Sequence, residues 1–147
     1  MSERAYIAIE GHARDWEEAI RFCGNELIRN AYVGQDFLNA CIDREKKFPT
    51  GLPTSIPVAI PHAASDKVFR TAVCVMKLDE SIRFQRMDEP SASVDVKLIF
   101  NLAIKGNDAH LDFLQKLIGF VMDENHLTKC VNLPIEEIPI YLENEIK

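Results

Sequence analysis

The run Val58-Ala59-Ile60-Pro61-His62-Ala63 carries the sharpest chemical signal in the chain. Val58, Ala59 and Ile60 read as a short buried strand, and a proline, which cannot donate to a sheet ladder, should stop the pairing there. His62 then sits at the strand's end, followed by two small residues, Ala63 and Ala64, that leave the ring accessible. An imidazole with an ordinary pKa near ~6.5 is neutral and nucleophilic at cellular pH. It can attack phosphorus and hold a phosphoryl group as a phosphoramidate. The same residues also fit a histidine that merely follows a proline turn and bonds a nearby carbonyl.

Other polar residues carry weaker signals. Arg44 suits the basic end of an amphipathic helix, where a cation meets the negative end of the dipole. Glu45 could orient Arg44 or be a solvated charge. Thr50 and Thr54 precede His62 and could donate to phosphate, although hydroxyls in such a loop more commonly bond their own turn. His110 lies in the first turn of an expected helix and reads, by itself, as a surface histidine near a cap. His12 and His126 have no partner at ligand spacing and read as surface residues. Zinc held by His62, His110 and His126 has no H-x-x-x-H or paired cysteines behind it, so no metal is expected. No Gly-rich nucleotide loop is present, and no cofactor is expected.

Those residues must be positioned by a chain of 147 residues, which is about one domain's worth. We expect a single domain over residues 1–147, without repeat or linker. Lys plus Arg total 17 against 23 for Asp plus Glu, a net charge of −6 that argues against nucleic acid and anionic lipid as partners. The start Met1-Ser2-Glu3-Arg4 lacks the pattern of an export signal. The longest uncharged stretch, Phe48 to Ser65, carries Pro49, Pro53, Pro57 and Pro61, which excludes a membrane helix there. A cytoplasmic protein is expected, with Cys23, Cys41, Cys74 and Cys130 as free, buried thiols.

The element order reads as follows. Tyr6-Ile7-Ala8-Ile9 is a strand. Asp15 with Glu18 starts a helix that buries Ile20, Cys23 and Leu27 beside Trp16. A second helix runs from Asp36 to Lys47, burying Phe37 and Cys41. After the proline-rich loop and the Val58–Ile60 strand, Phe69 to Leu78 alternates as a strand. A polar loop is expected from Asp79 to Ser93, then a central strand from Val94 to Ile104. Asn107 or Asp108 should cap the helix carrying Leu114, Leu117 and Val121. A short helical region from Asp123 to Asn132 precedes a last helix with Pro139 in its first turn. Helices and strands interleave, which predicts an α/β fold.

Pro61-His62, with Arg44-Glu45 and Phe48-Pro49-Thr50-Gly51 upstream of it, resembles the fructose/mannitol/galactitol-type enzyme IIA family of the bacterial sugar phosphotransferase system. The Phe-Pro-Thr-Gly form is most similar to galactitol-specific IIA proteins. Thr54-Ser55 departs from the apolar residue and small residue common elsewhere in that family. The resemblance implies a mixed sheet of about four to five strands with helices packed on both faces, and a phosphotransferase whose nucleophile is His62. It implies that phospho-HPr donates to His62, and that His62 passes the group to a cysteine of a cognate IIB component, linked through it to a membrane IIC component. It places Arg44 close to His62, and several relatives set a second histidine at the position of His110; both would stabilise phosphoryl oxygens. His62 would then lie in a shallow, rather apolar depression covered in turn by two partners. The alternative is an IIA-like regulatory module whose phosphorylation state controls a protein partner rather than sugar uptake.

Overall fold

A computed structural model describes residues 4–64, 66–106 and 110–146; the side chains of Ala64, His110 and Leu111 lie outside that description. The strands are β1 (Ala5–Gly11), β2 (Gly51–Leu52), β3 (Val58–Ala59), β4 (His62–Ala64), β5 (Ala72–Gln85) and β6 (Ser93–Ile104). The helices are α1 (Trp16–Arg29), α2 (Asp36–Lys47), α3 (His110–Val121), α4 (Glu124–Asn132) and α5 (Ile138–Glu145). A 3-10 turn, Ile135–Glu137, leads into α5. The strands form one sheet in the order β1-β5-β6-β3-β2, with β4 pairing β6 beyond β3. β5 and β6 are antiparallel, while β1 is parallel to β5, and β3 and β4 are parallel to β6. The fold is the expected α/β arrangement with a mixed sheet. Among the described residues it has six strands where about four to five were expected, the extra ones being short: β2 and β4 are two and three residues long.

Strand alternation sends two apolar sets to opposite faces. Ala72, Cys74 and Met76 of β5 pack with Ile20, Cys23 and Leu27 of α1 and Phe37 and Cys41 of α2. Val73 and Val75 join Phe100 and Leu102 of β6 against Phe113, Leu117, Leu127, Ile138 and Leu142 from the last three helices. Both faces of β5 and β6 are therefore covered, and these strands read as near-continuous apolar runs for that reason.

Local chemistry explains both ends of α1 and the start of α5. The Asp15 side chain accepts from Glu18 N at 2.9 Å, while Glu18 takes the N–H of Arg14 at 3.0 Å, a variant of the reciprocal cap. α1 closes with Ala31 N donating to Ile28 O and Tyr32 N to Leu27 O, which puts Ala31 at φ 61°, a left-handed position usually given to glycine. Pro139 lies in the first turn of α5, where it removes no helical hydrogen bond. The expected caps Asn107 and Asp108 lie outside the described residues.

Two sequence expectations need correction. The polar stretch from Asp79 is not all loop: β5 continues to Gln85, with a register shift between Lys77 and Ile82 after which Ile82 pairs Val96 and Phe84 pairs Val94. Ile82 and Phe84 are buried and hold this hairpin to the core, a signal hidden by their charged neighbours. Pairing also does not end at Pro61. Val58 pairs Leu98 and His62 pairs Leu102, the same offset, so the parallel ladder resumes in register beyond the proline.

Candidate functional site

Proline sets the frame of the site. Pro61 has no N–H, but its carbonyl accepts from Leu102 N at 2.8 Å, which ties the Pro61-His62 peptide to β6. One residue earlier, Ile60 N donates to Thr50 O at 3.3 Å on the β2 side. The Ile60 carbonyl meets His62 Nδ1 at 2.8 Å. A carbonyl only accepts, so Nδ1 carries the proton and Nε2 of the neutral ring carries the lone pair. The bond to a nearby carbonyl that the sequence allowed is therefore present, and it fixes the tautomer that leaves the lone pair on Nε2.

His62 is only 5% exposed and Ala63 4%, so Ala63 does not open the ring to solvent as expected; it packs as part of the sheet. A surface cavity of about 470 Å³, lined by Ile9, His12, Phe22 and Met76 among others, lies elsewhere. It opens where β1 ends beside Leu78, whereas His62 is level with Leu102 and Val73. That is a separation of roughly 17 Å along the strands.

α2 packs against β4 and ends in the residues singled out upstream. Arg44 is exposed in its last turn, with its guanidinium 5.3 Å over the Phe48 ring, and Phe48 itself is 60% exposed. Glu45, one residue on, points the other way. It is buried and accepts from Thr50 N and from Thr50 Oγ1, each at 2.8 Å. Burial pushes its carboxyl up to about 7, against the lowering effect of the two Thr50 bonds and of Arg44. Glu45 is thus neither a solvated charge nor a bonded partner of Arg44; it clamps the Pro49-Thr50-Gly51 turn. Gly51 comes so close to β5 that a Cβ there would lie 2.6 Å from Gln85 O, which explains the glycine. Thr50 is turned into the core, and Thr54 Oγ1 donates to Ile56 O at 2.7 Å, so both hydroxyls serve the turn instead of facing a ligand.

The remaining histidines separate. His110 begins α3, and its side chain lies outside the described residues. His12 pairs with Asp79 at 3.0 Å at the far end of the sheet. His126 is half-buried, stacks on Phe120 with ring centroids 4.2 Å apart, and donates from Nδ1 to Phe120 O at 2.9 Å. It is a structural residue of the helical face and not a surface one, and its stacking partner could not be read from spacing. Among the described residues no three His, Cys, Asp or Glu side chains gather as a metal site. All four cysteines are free and buried.

Residues 2–142 match the family described as "Phosphoenolpyruvate-dependent sugar phosphotransferase system, EIIA 2". The chain belongs to that EIIA family. It is 35% identical over 119 residues to the mannitol-specific EIICBA component of the phosphotransferase system of Escherichia coli K12, a match covering 79% of this chain and 18% of that protein. It is 26% identical over 128 residues to the galactitol-specific EIIA component from the same strain, covering 86% of this chain and 85% of that one. Among solved structures, the complex of enzyme IIA for mannitol with phosphorylated enzyme IIB from Escherichia coli superposes with a TM-score of 0.76 at 26% identity, over 98% of this chain and 96% of that one. Thus the chain spans under a fifth of the length of the first of these relatives, and its fold is that of the mannitol-type EIIA proteins. No helix among the described residues is long and apolar enough to cross a membrane.

Proposed function

We propose that residues 1–147 act as a single phosphoryl-carrier unit in the cytoplasm, in which Nε2 of His62 takes a phosphoryl group from phospho-HPr and gives it to a cysteine of a IIB component. The observation that carries this reading is the Nδ1–H bond to the Ile60 carbonyl. In the first transfer the Nε2 lone pair forms the new P–N bond as the P–N bond of phospho-HPr breaks. The proton on Nδ1 stays where it is, and the carbonyl oxygen stabilises the positive charge that the ring gains. In the second transfer a IIB thiolate attacks phosphorus and the electron pair returns to Nε2. Neither step needs a proton moved to or from this chain, so the protein's work is in-line positioning and charge stabilisation. Arg44 and His110 are proposed to meet phosphoryl oxygens.

The IIB partner follows from two likenesses: a relative in which the matching segment is part of an EIICBA protein, and a structural neighbour that is a complex with phosphorylated IIB. Relatives named for mannitol and for galactitol both match, so an acyclic polyol is the sugar class we propose. The docking face is proposed to include the exposed Phe48 and Ser55 of the uncharged stretch; Ala63, which is buried, does not belong to it. Protein labelled through phosphoenolpyruvate, enzyme I and HPr should pass its label to an isolated mannitol or galactitol IIB domain. Label that forms but moves to neither IIB leaves the regulatory alternative as the better account.

A further inference from the structure

Asn101 is the odd residue of β6. It interrupts Leu98-Ile99-Phe100 and Leu102-Ala103-Ile104, all buried and apolar, and is itself fully buried. It faces the helical layer of α1 and α2, pairs Cys74 across the ladder, and sits beside Cys41, whose Sγ is 3.5 Å from Nδ2. Nδ2 donates to Pro61 O at 3.0 Å, and because a carbonyl can only accept, this bond settles which end of the amide is nitrogen. Oδ1 is buried with no hydrogen-bond partner among the described residues. A leucine would fill such a site without leaving a desolvated oxygen unpaired, so packing does not account for the residue.

The Pro61 carbonyl does account for it. That oxygen belongs to the peptide whose nitrogen is His62 N. The ladder is thinned here because Pro61 cannot donate, and a single backbone bond from Leu102 would leave the peptide plane free to tilt about it. Asn101 supplies a second donor from a different direction, and two donors on one oxygen fix the plane. The plane in turn sets the direction of the His62 Cα–Cβ bond, and with it the reach of Nδ1 back to Ile60 O.

We propose that Asn101 is a positioning residue for His62: it anchors the Pro61-His62 peptide so that the ring stays Nδ1-protonated with Nε2 presented for phosphoryl transfer, at some cost in stability. This rests on the reading of His62 as the phosphoryl carrier, although its first test does not. In the unphosphorylated protein, 15N NMR of the imidazole should show wild-type His62 as one tautomer, protonated on Nδ1. In Asn101→Leu the signals should move toward a mixture of the two tautomers, while thermal stability equals or exceeds that of wild type. Phosphoryl acceptance from phospho-HPr should fall at least about ten-fold, the effect expected of one lost positioning bond. Asn101→Ala, which cannot overpack, is the second variant if Asn101→Leu does not fold. A variant that folds and keeps the wild-type tautomer and rate overturns the proposal. A changed tautomer in a protein whose wild type accepts no phosphoryl group supports the anchoring and removes the carrier reading instead.

Discussion

Glu45 should make this protein less stable as the solution turns from acid to neutral, the opposite of the usual behaviour of a paired carboxylate. Its carboxyl is raised from 4.5 to about 7 by burial. Between those values the folded state holds a proton that the unfolded chain has released, so the contribution is fully present below about 4.5 and is lost as pH rises through 7. The span from 4.5 to about 7, at 1.36 kcal/mol for each factor of ten in proton affinity, sets a ceiling of roughly 3 kcal/mol on that loss. Glu45→Gln separates this effect from all other titrations. Its amide mimics the protonated acid: Oε1 can accept from Thr50 N while Nε2 donates to Thr50 Oγ1, so both contacts of the clamp survive. Urea unfolding from pH 4 to 8.5 should give nearly equal stabilities at the acid end, and at pH 8.5 the variant should be the more stable by about 1–3 kcal/mol. Parallel curves for the two proteins across that range would refute the reasoning, because Glu45 would then titrate alike in the folded and unfolded chains.

Three further outcomes are expected. Arg44→Ala should fold normally, since the side chain is exposed against Phe48, and accept phosphoryl roughly ten- to a hundred-fold more slowly in a rapid-quench assay, the worth of one charge-assisted bond; an unchanged rate would make Arg44 structural only. Gly51→Ala should destabilise by about 1–3 kcal/mol in chemical denaturation, because its Cβ would press on the Gln85 carbonyl, a backbone atom that cannot swing aside. Ala31→Gly should raise stability by about 0.5–1 kcal/mol by relieving the left-handed conformation at the exposed end of α1, which calorimetry would show as a higher Tm.

Patterns that depend on local chemistry were legible in the sequence. Asp15 with Glu18 named the start of α1, Pro139 named the first turn of α5, and the alternation of Ala72, Cys74 and Met76 named the inner face of β5. Long-range partners were not legible. Ile82 and Phe84 extend β5 because they pair with Val96 and Val94, not because their neighbours look like a strand. The motif around Arg44 and Glu45 was visible, but its division of labour was not: adjacent residues on a helix end point apart, one stacking on Phe48 and one gripping Thr50. Asn101 had a signal that was there to be used, a lone polar residue in an apolar strand, and its meaning appears only once Pro61 is seen to lie against it.

Whether His62 carries phosphate on Nε2 is read out by NMR of the phosphorylated protein. The protein should be incubated with phosphoenolpyruvate, enzyme I and HPr, and the product examined by 31P and 15N NMR beside the His62→Ala variant. The account predicts a single acid-labile phosphoryl group whose phosphorus couples to Nε2 of His62, with Nδ1 still protonated, and no phosphorylation of His62→Ala. Phosphorylation of His62→Ala to the wild-type level, or a phosphorus bonded to Nδ1, would contradict it.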